Sequence, residues 1–279
     1  MQDLCEALAV QTRSRVALHP VDRASHCAIA NVALPREKRS MQSGEKASLR
    51  SSGAQDHVLR PVAFLRTPFA EKFGVPRQSG LVPEAEGRVE FLPEFSAPEF
   101  TRGLEAFSHV WLITGFHQNP VWTSGATVRP PRLGGNERVG VFASRAPHRP
   151  NGLGLSLVRL LNVEPRVLRI GGMDAVDGTP VYDIKPYLPW AECRPDATSG
   201  WAGGAPFSRE PEAIVIPEKL ANAMGATVTA LVRRILQLEI QPAYQDDPER
   251  IYGMTVAGWN VRWSAGTNAT LVVCEASQK

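Results

Sequence analysis

Side chains able to do chemistry crowd into one stretch: Arg129-Pro-Pro-Arg132-Leu-Gly-Gly-Asn136-Glu-Arg138, followed by Ser144-Arg145-Ala-Pro-His148-Arg149-Pro-Asn151. Between residues 125 and 150 five arginines stand against one glutamate, a local charge of +4, whereas the whole 279-residue chain carries only +3. Arginines set between prolines are stiffened in advance, so they bind planar or phosphate groups at low ordering cost. Such a loop suits an anionic ligand, either a nucleotide or an RNA backbone. It equally suits a solvated loop that makes its own ion pairs.

Three further polar segments could contribute. Pro76-Arg77-Gln78-Ser79-Gly80 is a polar loop bracketed by Pro and Gly, a common pattern that is mostly structural when it stands alone. His117-Gln118-Asn119 closes the apolar run that begins at His109. Amide side chains there match the donor and acceptor pair of an adenine edge, although a histidine at a strand end also serves as a structural residue. Gly171-Gly-Met-Asp174-Ala-Val-Asp177-Gly-Thr-Pro180 sets two carboxylates three residues apart on a tight turn. They could hold a metal, grip ribose hydroxyls or a ligand ammonium, or cap the turn, which the Asp-Gly pair favours. Asp183 and Lys185 read as a structural pair. No His/Asp/Glu cluster has metal-ligand spacing, so no metal is expected. No GxGxxG follows a predicted strand, and neither a P-loop nor GxSxG occurs, which removes Rossmann and related readings.

The elements that must carry these loops are mostly strands. Val62–Phe64, Arg88–Leu92, His109–Ile113, Arg138–Ala143, Leu153–Leu161, Arg166–Gly171 and Thr179–Ile184 have the β-branching, alternation or apolar runs of strands, punctuated by Gly and Pro. Pro98–Phe107 has helical composition. Short strands with few helices between them predict a mainly β protein, an antiparallel sheet closed into a barrel. Pro189–Ser208, rich in Gly, Ala, Pro and Ser, reads as a linker. Beyond it Pro217–Met224 and Ala226–Gln241 are helical. Val228, Leu231, Val232, Ile235, Leu236 and Leu238 make an apolar face on the second helix. Met254 and Val256 alternate in one phase and Trp259, Val261 and Trp263 in the other, so the chain turns or bulges at Ala257-Gly258. A last strand at Thr270–Cys274 completes a small C-terminal α+β domain.

Residues 1–57 bury too little to offset their ordering entropy and are expected to be a flexible extension, with a short helix possible at Leu4–Thr12. The expected organisation is therefore extension 1–57, barrel 58–190, linker 191–208 and α+β domain 209–279. The near-neutral net charge excludes a histone-like coat for polyanions. The four cysteines, at 5, 27, 193 and 274, share no CxxC spacing and suggest no disulfide framework. No apolar run reaches the ~18 residues of a membrane span, and Cys27–Leu34 lacks signal-peptide flanks. A cytoplasmic location is expected.

In order and at compatible spacing, the motifs Lys72-Phe-Gly-Val-Pro-Arg-Gln-Ser-Gly-Leu81, Phe107-Ser-His-Val-Trp-Leu112, Phe116-His-Gln118, Arg129-Pro-Pro-Arg-Leu-Gly-Gly-Asn136, Gly140-Val-Phe-Ala-Ser-Arg145, Arg149-Pro-Asn151 and Asp177-Gly-Thr-Pro-Val181 through Pro189 resemble the TsaA-like family, also known as TrmO or YaeB. The likeness spans about 60–190 and continues weakly to the C-terminal end. It implies a homodimeric barrel that uses S-adenosylmethionine to methylate N6 of threonylcarbamoyl-adenosine at position 37 of tRNA. The family's cofactor contacts fall on Pro76, Arg77, Gln78, His117, Gln118, Arg145, Leu155 and the turn Asp174, Ala175, Val176 and Asp177. Arg145 is expected at the methionine-carboxylate or ribose end and the turn at the adenine or ammonium end. His117 and Asp177 are the candidates for a general base. Arg129, Arg132 and Arg149 are expected to grip tRNA. Family members carry a C-terminal Asp-Pro-Arg-Pro-x-Tyr motif linked to tRNA contact. Here it reads Asp247-Pro-Glu249-Arg250-Ile-Tyr252, so Arg250 is expected to take the phosphate contact from a shifted position, beside Tyr252. Two other functions fit the same residues: a methyltransferase on this barrel with a small-molecule or protein substrate, and a non-catalytic nucleotide- or RNA-binding regulator.

Overall fold

The structure, a computed structural model, describes residues 57–203, 209–238, 250–266 and 270–279. The expected extension up to residue 56, the possible helix at Leu4–Thr12 and the Asp247-Pro-Glu249 part of the C-terminal motif lie outside the described residues. From Leu59 onward the chain forms one unit.

Six strands, β1 (Ala63–Arg66), β2 (Glu86–Phe91), β3 (His109–Gly115), β6 (Leu153–Glu164), β7 (Val167–Gly171) and β8 (Pro180–Pro186), close a barrel in the order β1-β2-β7-β6-β3-β8. Every neighbouring pair is antiparallel. Closure follows from the alternation: Ala63 and Leu65, Val89, Val110 and Leu112, Val158, Leu168 and Ile170, and Val181 all turn inward and are buried. Toward one end the interior becomes polar, with Thr114, Ser156 and Thr179 buried among these residues. β6 passes to β7 through Pro165-Arg166, with Glu164 paired to Val167 and Arg166 at φ 68°. Proline supplies the first corner of this type II turn, while the arginine occupies a position that glycine usually fills.

Two expected elements differ. Pro98–Phe107 is not a helix but two single 3₁₀ turns, Pro98–Phe100 and Leu104–Ala106, separated by Gly103 at φ 85°. The left-handed glycine interrupts the helical ladder before one full turn is complete. Arg138–Ala143 contains only the two-residue strand β5 (Val139–Gly140), paired with β4 (Thr127–Val128), and then a 3₁₀ turn. The partner is cut short because Pro130 and Pro131 bring no N–H to extend the ladder.

A short helix α1 (Pro189–Glu192) follows the barrel. The second sheet comprises β9 (Ile214–Val215), β10 (Ile251–Val256), β11 (Trp259–Ala265) and β12 (Leu271–Gln278), in the order β10-β11-β12-β9. The β10–β11 hairpin turns at Ala257 (φ 49°) and Gly258 (φ 76°), where the sequence phase flips. Helix α2 (Glu218–Gln237) breaks at Gly225, giving the expected two pieces, and buries Leu231, Val232, Ile235 and Leu236 in a core shared with this sheet and the barrel. No helix among the described residues is long and apolar enough to cross a membrane.

Candidate active site

The polar end of the barrel is where the loops meet. Gly80 donates its N–H to Gly172 O at 2.9 Å, and the two backbones approach so closely that a Cβ on Gly172 would lie 3.1 Å from Gly80 Cα. With φ at +80°, Gly172 suits glycine for conformation as well as for space. This contact brings the 76–80 loop onto the 172–178 turn. The neighbouring Ser79 Oγ accepts the Leu157 N–H at 3.1 Å, which docks the same loop on β6.

Asp174 lies at the centre of this junction. Its Oδ1 accepts the Ser156 hydroxyl at 2.6 Å. Burial pushes its carboxyl above the usual value, opposed by the Ser156 hydrogen bond, its own and the Ser79 backbone N–H groups, and the charge of Arg145. Arg145 donates to Gln78 Oε1, so the basic loop reaches the 76–80 loop. Gln78, Arg145 and Asp174, three of the sequence candidates, are thus one cluster. A desolvated carboxylate beside an exposed guanidinium can hold a ligand with a cationic or N–H end and an anionic end. The zwitterionic amino-acid end and the ribose hydroxyls of S-adenosylmethionine have that chemistry, so the residues fit it.

The second group surrounds His117, whose ring is exposed. Nδ1 lies 3.5 Å from Thr179 Oγ1, and that hydroxyl donates to Val176 O at 2.7 Å. Because the hydroxyl proton is already committed, Thr179 faces the imidazole as an acceptor. This arrangement favours the Nδ1–H tautomer and leaves Nε2 as the basic nitrogen. Asp177 is engaged otherwise. Its Oδ1 accepts the Thr67 N–H at 2.9 Å, Oδ2 lies 3.8 Å from the Arg66 guanidinium, and its own N–H donates to Phe69 O. The Ala175 carbonyl accepts the Thr67 hydroxyl at 2.9 Å. Lys72 Nζ donates to Gln118 O and Asn119 Oδ1, both at 2.7 Å, tying the 116–119 loop to the segment before Pro76. Pro76 is buried, Arg77 is exposed and offers its carbonyl to Gln78 Nε2, and Leu155 stands 58% exposed on β6 beside Ser156.

The arginines of the basic loop divide by what they touch. Arg132 donates to the Ala202 and Gly203 carbonyls, and Arg149 donates to Ser144 O. Trp201 Nε1 donates to Ala143 O at 2.8 Å. The segment expected as a linker is therefore fastened to the basic loop at residues 201–203. Arg129 is exposed. Arg250, just before β10 of the second sheet, lies over the Tyr252 ring at 5.3 Å. Among the described residues no group of three His, Cys, Asp or Glu side chains is placed to hold a metal.

Lys72, Ser79 and Thr179 lie inside the segments that the sequence marks but carry no role there, and Ser156 lies outside them. Ser156 did leave a signal, as a polar residue at an inward position of the strand that begins at Leu153.

Residues 64–193 match the family model of the tRNA-methyltransferase O N-terminal domain, and residues 207–278 that of the TrmO C-terminal domain. A tRNA (adenine(37)-N6)-methyltransferase of Escherichia coli (strain K12) is 42% identical over 215 residues, covering 72% of this chain and 90% of the relative. The chain belongs to the TrmO family. A Pseudomonas aeruginosa relative, RcsF, named as a candidate S-adenosylmethionine-dependent methyltransferase, is 43% identical over 212 residues, 74% of this chain and 92% of its own length. The crystal structure of TrmO from Pseudomonas aeruginosa superposes with a TM-score of 0.67 at 34% identity, over 80% of this chain and 99% of that one. The TrmO match spans both the barrel and the second sheet.

Proposed function

We propose that the loops at the polar end of the barrel bind S-adenosylmethionine and that the protein methylates N6 of threonylcarbamoyl-adenosine at position 37 of tRNA. The observation that carries the reading is the half-buried, desolvated Asp174 carboxyl near the exposed Arg145 and its partner Gln78, on loops of a TrmO-family chain. When bound, S-adenosylmethionine supplies an electrophilic methyl group on a sulfonium. The protein's task is then orientation more than covalent help. Arg145 and Gln78 take the ligand's anionic end and the Asp174–Asp177 turn its N–H or ammonium end. The N6–H of the substrate stands between a purine and a carbonyl and is acidic for an amine, so a modest base suffices. His117 Nε2 accepts that proton. Asp177 serves the fold better than the reaction, because both its oxygens face Thr67 and Arg66.

The proposed working parts are the barrel of residues 58–190, joined through 191–208 to the unit of 209–279. Arg129, Arg149, Arg250 and Tyr252 make the tRNA grip, while Arg132 shapes the basic loop through residues 202–203. A homodimer is part of this reading. Leu155, 58% exposed next to the cofactor cluster, is suited to cover by a second subunit. The cytoplasm, where tRNA is found, is the proposed location.

Incubation with methyl-labelled S-adenosylmethionine and total tRNA, followed by nucleoside analysis, is expected to put label in N6-methyl-threonylcarbamoyl-adenosine. Label in no tRNA nucleoside would overturn the substrate assignment. Binding of the cofactor without tRNA labelling would favour a small-molecule or protein substrate instead.

A further inference from the structure

The segment that leads into the 76–80 loop is laid along the second sheet. Pro68 O accepts the Ala257 N–H at 2.7 Å, and Phe69, fully buried, bridges to Val256. Glu71 Oε1 accepts the Thr255 N–H at 2.7 Å. Gly74 packs on Met254 so tightly that a Cβ would lie 3.0 Å from its sulfur. On the far side of the loop Leu81 O accepts from Arg234 of α2 at 3.2 Å.

Two adjacent side chains in this segment point to different partners. Phe73 stacks on Trp263 at 6.0 Å with an interplanar angle of 6°, and Trp263 stacks on Tyr252 at 6.0 Å and 21°. Arg250 lies over the Tyr252 ring, 5.3 Å from its centroid. Trp263 is wholly buried and its indole N–H has no hydrogen-bond partner among the described residues, so stacking and packing hold the ring there. The next side chain, Lys72, reaches the opposite way and holds the 118–119 backbone and amide beside His117. An unbroken series of contacts therefore leads from Arg250 through Tyr252, Trp263, Phe73 and Lys72 to Asn119, two residues from His117.

We propose that Lys72 and Phe73 are positioning residues through which the second sheet holds the 76–80 and 116–119 loops in cofactor-binding geometry. The second sheet is then part of the methyl-transfer machinery and not solely a tRNA grip. The proposal rests on the reading that S-adenosylmethionine binds at the polar end of the barrel. Neither side chain needs to touch cofactor or base: Phe73 fixes the start of one loop, and Lys72 transmits that position to the other. Misplacing the reacting groups by about 1 Å can lower a rate about a hundredfold.

The distinguishing measurement is cofactor binding with no RNA present. Calorimetric titration of the full chain with S-adenosylmethionine is compared for wild type, Phe73→Leu, Lys72→Met, Lys72→Arg, Asn119→Ala and the Lys72→Met/Asn119→Ala pair, alongside kcat and KM for tRNA. Phe73→Leu and Lys72→Met are expected to weaken cofactor binding about fivefold to fiftyfold and to lower kcat, with KM for tRNA within about twofold of wild type. Lys72→Arg should restore most of the loss. Asn119→Ala should add little to Lys72→Met, because the bond it removes is already lost with the Lys72 ammonium. Unchanged cofactor affinity and kcat in Phe73→Leu, with a raised KM for tRNA, would overturn the proposal and leave the sheet as an RNA grip. Additive effects of Lys72→Met and Asn119→Ala would overturn the role given to Lys72. If Phe73→Leu fails to fold, the variants of the exposed Lys72 and its partner Asn119 decide alone. A wild-type chain that takes up no S-adenosylmethionine would instead overturn the cofactor reading, a result separate from equal binding by wild type and variants.

Discussion

Replacing Asp174 by Asn tests whether its carboxylate is a ligand group or only a turn cap, the two roles that the sequence leaves open. The substitution keeps an oxygen able to accept the Ser156 hydroxyl at the present 2.6 Å and changes the volume little. What it removes is the charge. In the unliganded protein that charge is disfavoured, since burial raises the carboxyl above its ordinary value despite Ser156, Ser79 and Arg145. A carboxyl with a folded value above its unfolded one binds more protons in the native state. Its contribution to stability is therefore greatest at acid pH and is lost as pH rises through the shifted value. The unliganded Asp174→Asn variant should consequently be no less stable than wild type at neutral pH and should lack wild type's gain on acidification. Cofactor binding should move the opposite way. Losing one charge-assisted hydrogen bond costs about 1.5–3 kcal/mol, or about tenfold to a hundredfold in Kd. Wild-type affinity should fall as pH drops through the raised value and approach that of Asp174→Asn. The assay is calorimetric titration with S-adenosylmethionine in a pH series, with denaturant unfolding of both unliganded proteins. Equal affinity at neutral pH, together with a destabilised variant, would refute the reasoning and assign Asp174 to turn capping.

Three other outcomes follow from particular contacts. His117→Ala should lower kcat at least about a hundredfold, as removal of a general base does, while Asp177→Asn should lower stability more than it lowers kcat, because its Oδ1 holds the Thr67 N–H; full activity in both would remove His117 from the base role. Gly172→Ala should cost about 1–3 kcal/mol in denaturant unfolding and weaken cofactor binding, since φ is +80° and the added Cβ meets Gly80 Cα at 3.1 Å; a neutral result would show that the two loops separate freely. Trp201→Phe removes the 2.8 Å bond to Ala143 O and should raise KM for tRNA severalfold with cofactor affinity unchanged, measured by steady-state kinetics; an unchanged KM would detach residues 199–203 from the RNA grip.

What could be read in the sequence depended on whether a partner's identity is written in side chains. The barrel strands were legible because burial on one face forces alternation, as at Val110 and Leu112 or Leu168 and Ile170. The break in α2 was legible at Gly225 for a related reason, since glycine there adopts φ 76°. Misread elements failed where a neighbour decided the outcome. The strand expected at Arg138–Ala143 found only Thr127–Val128 to pair with. The candidate loops were each visible, and Gln78, Arg145 and Asp174 do meet, but nothing in their spacing says that they meet at Gly80 and Gly172.

The contacts that stayed hidden end largely on the main chain. Arg132 bonds to Ala202 and Gly203 carbonyls, Trp201 to Ala143 O, and Lys72 to Gln118 O as well as the Asn119 amide. A carbonyl acceptor can be supplied by any residue type, so a Gly- and Ala-rich stretch that looks like a linker offers as many acceptors as any other. The same reasoning explains why the second sheet looked separable. Its link to the site runs through Pro68 O, the Thr255 N–H and a stack of aromatic rings, each ordinary in its own strand or loop. Composition marks where a segment can fold; it does not mark which backbone a side chain will hold. In this chain those backbone contacts fix the loops that carry His117 and Asp174.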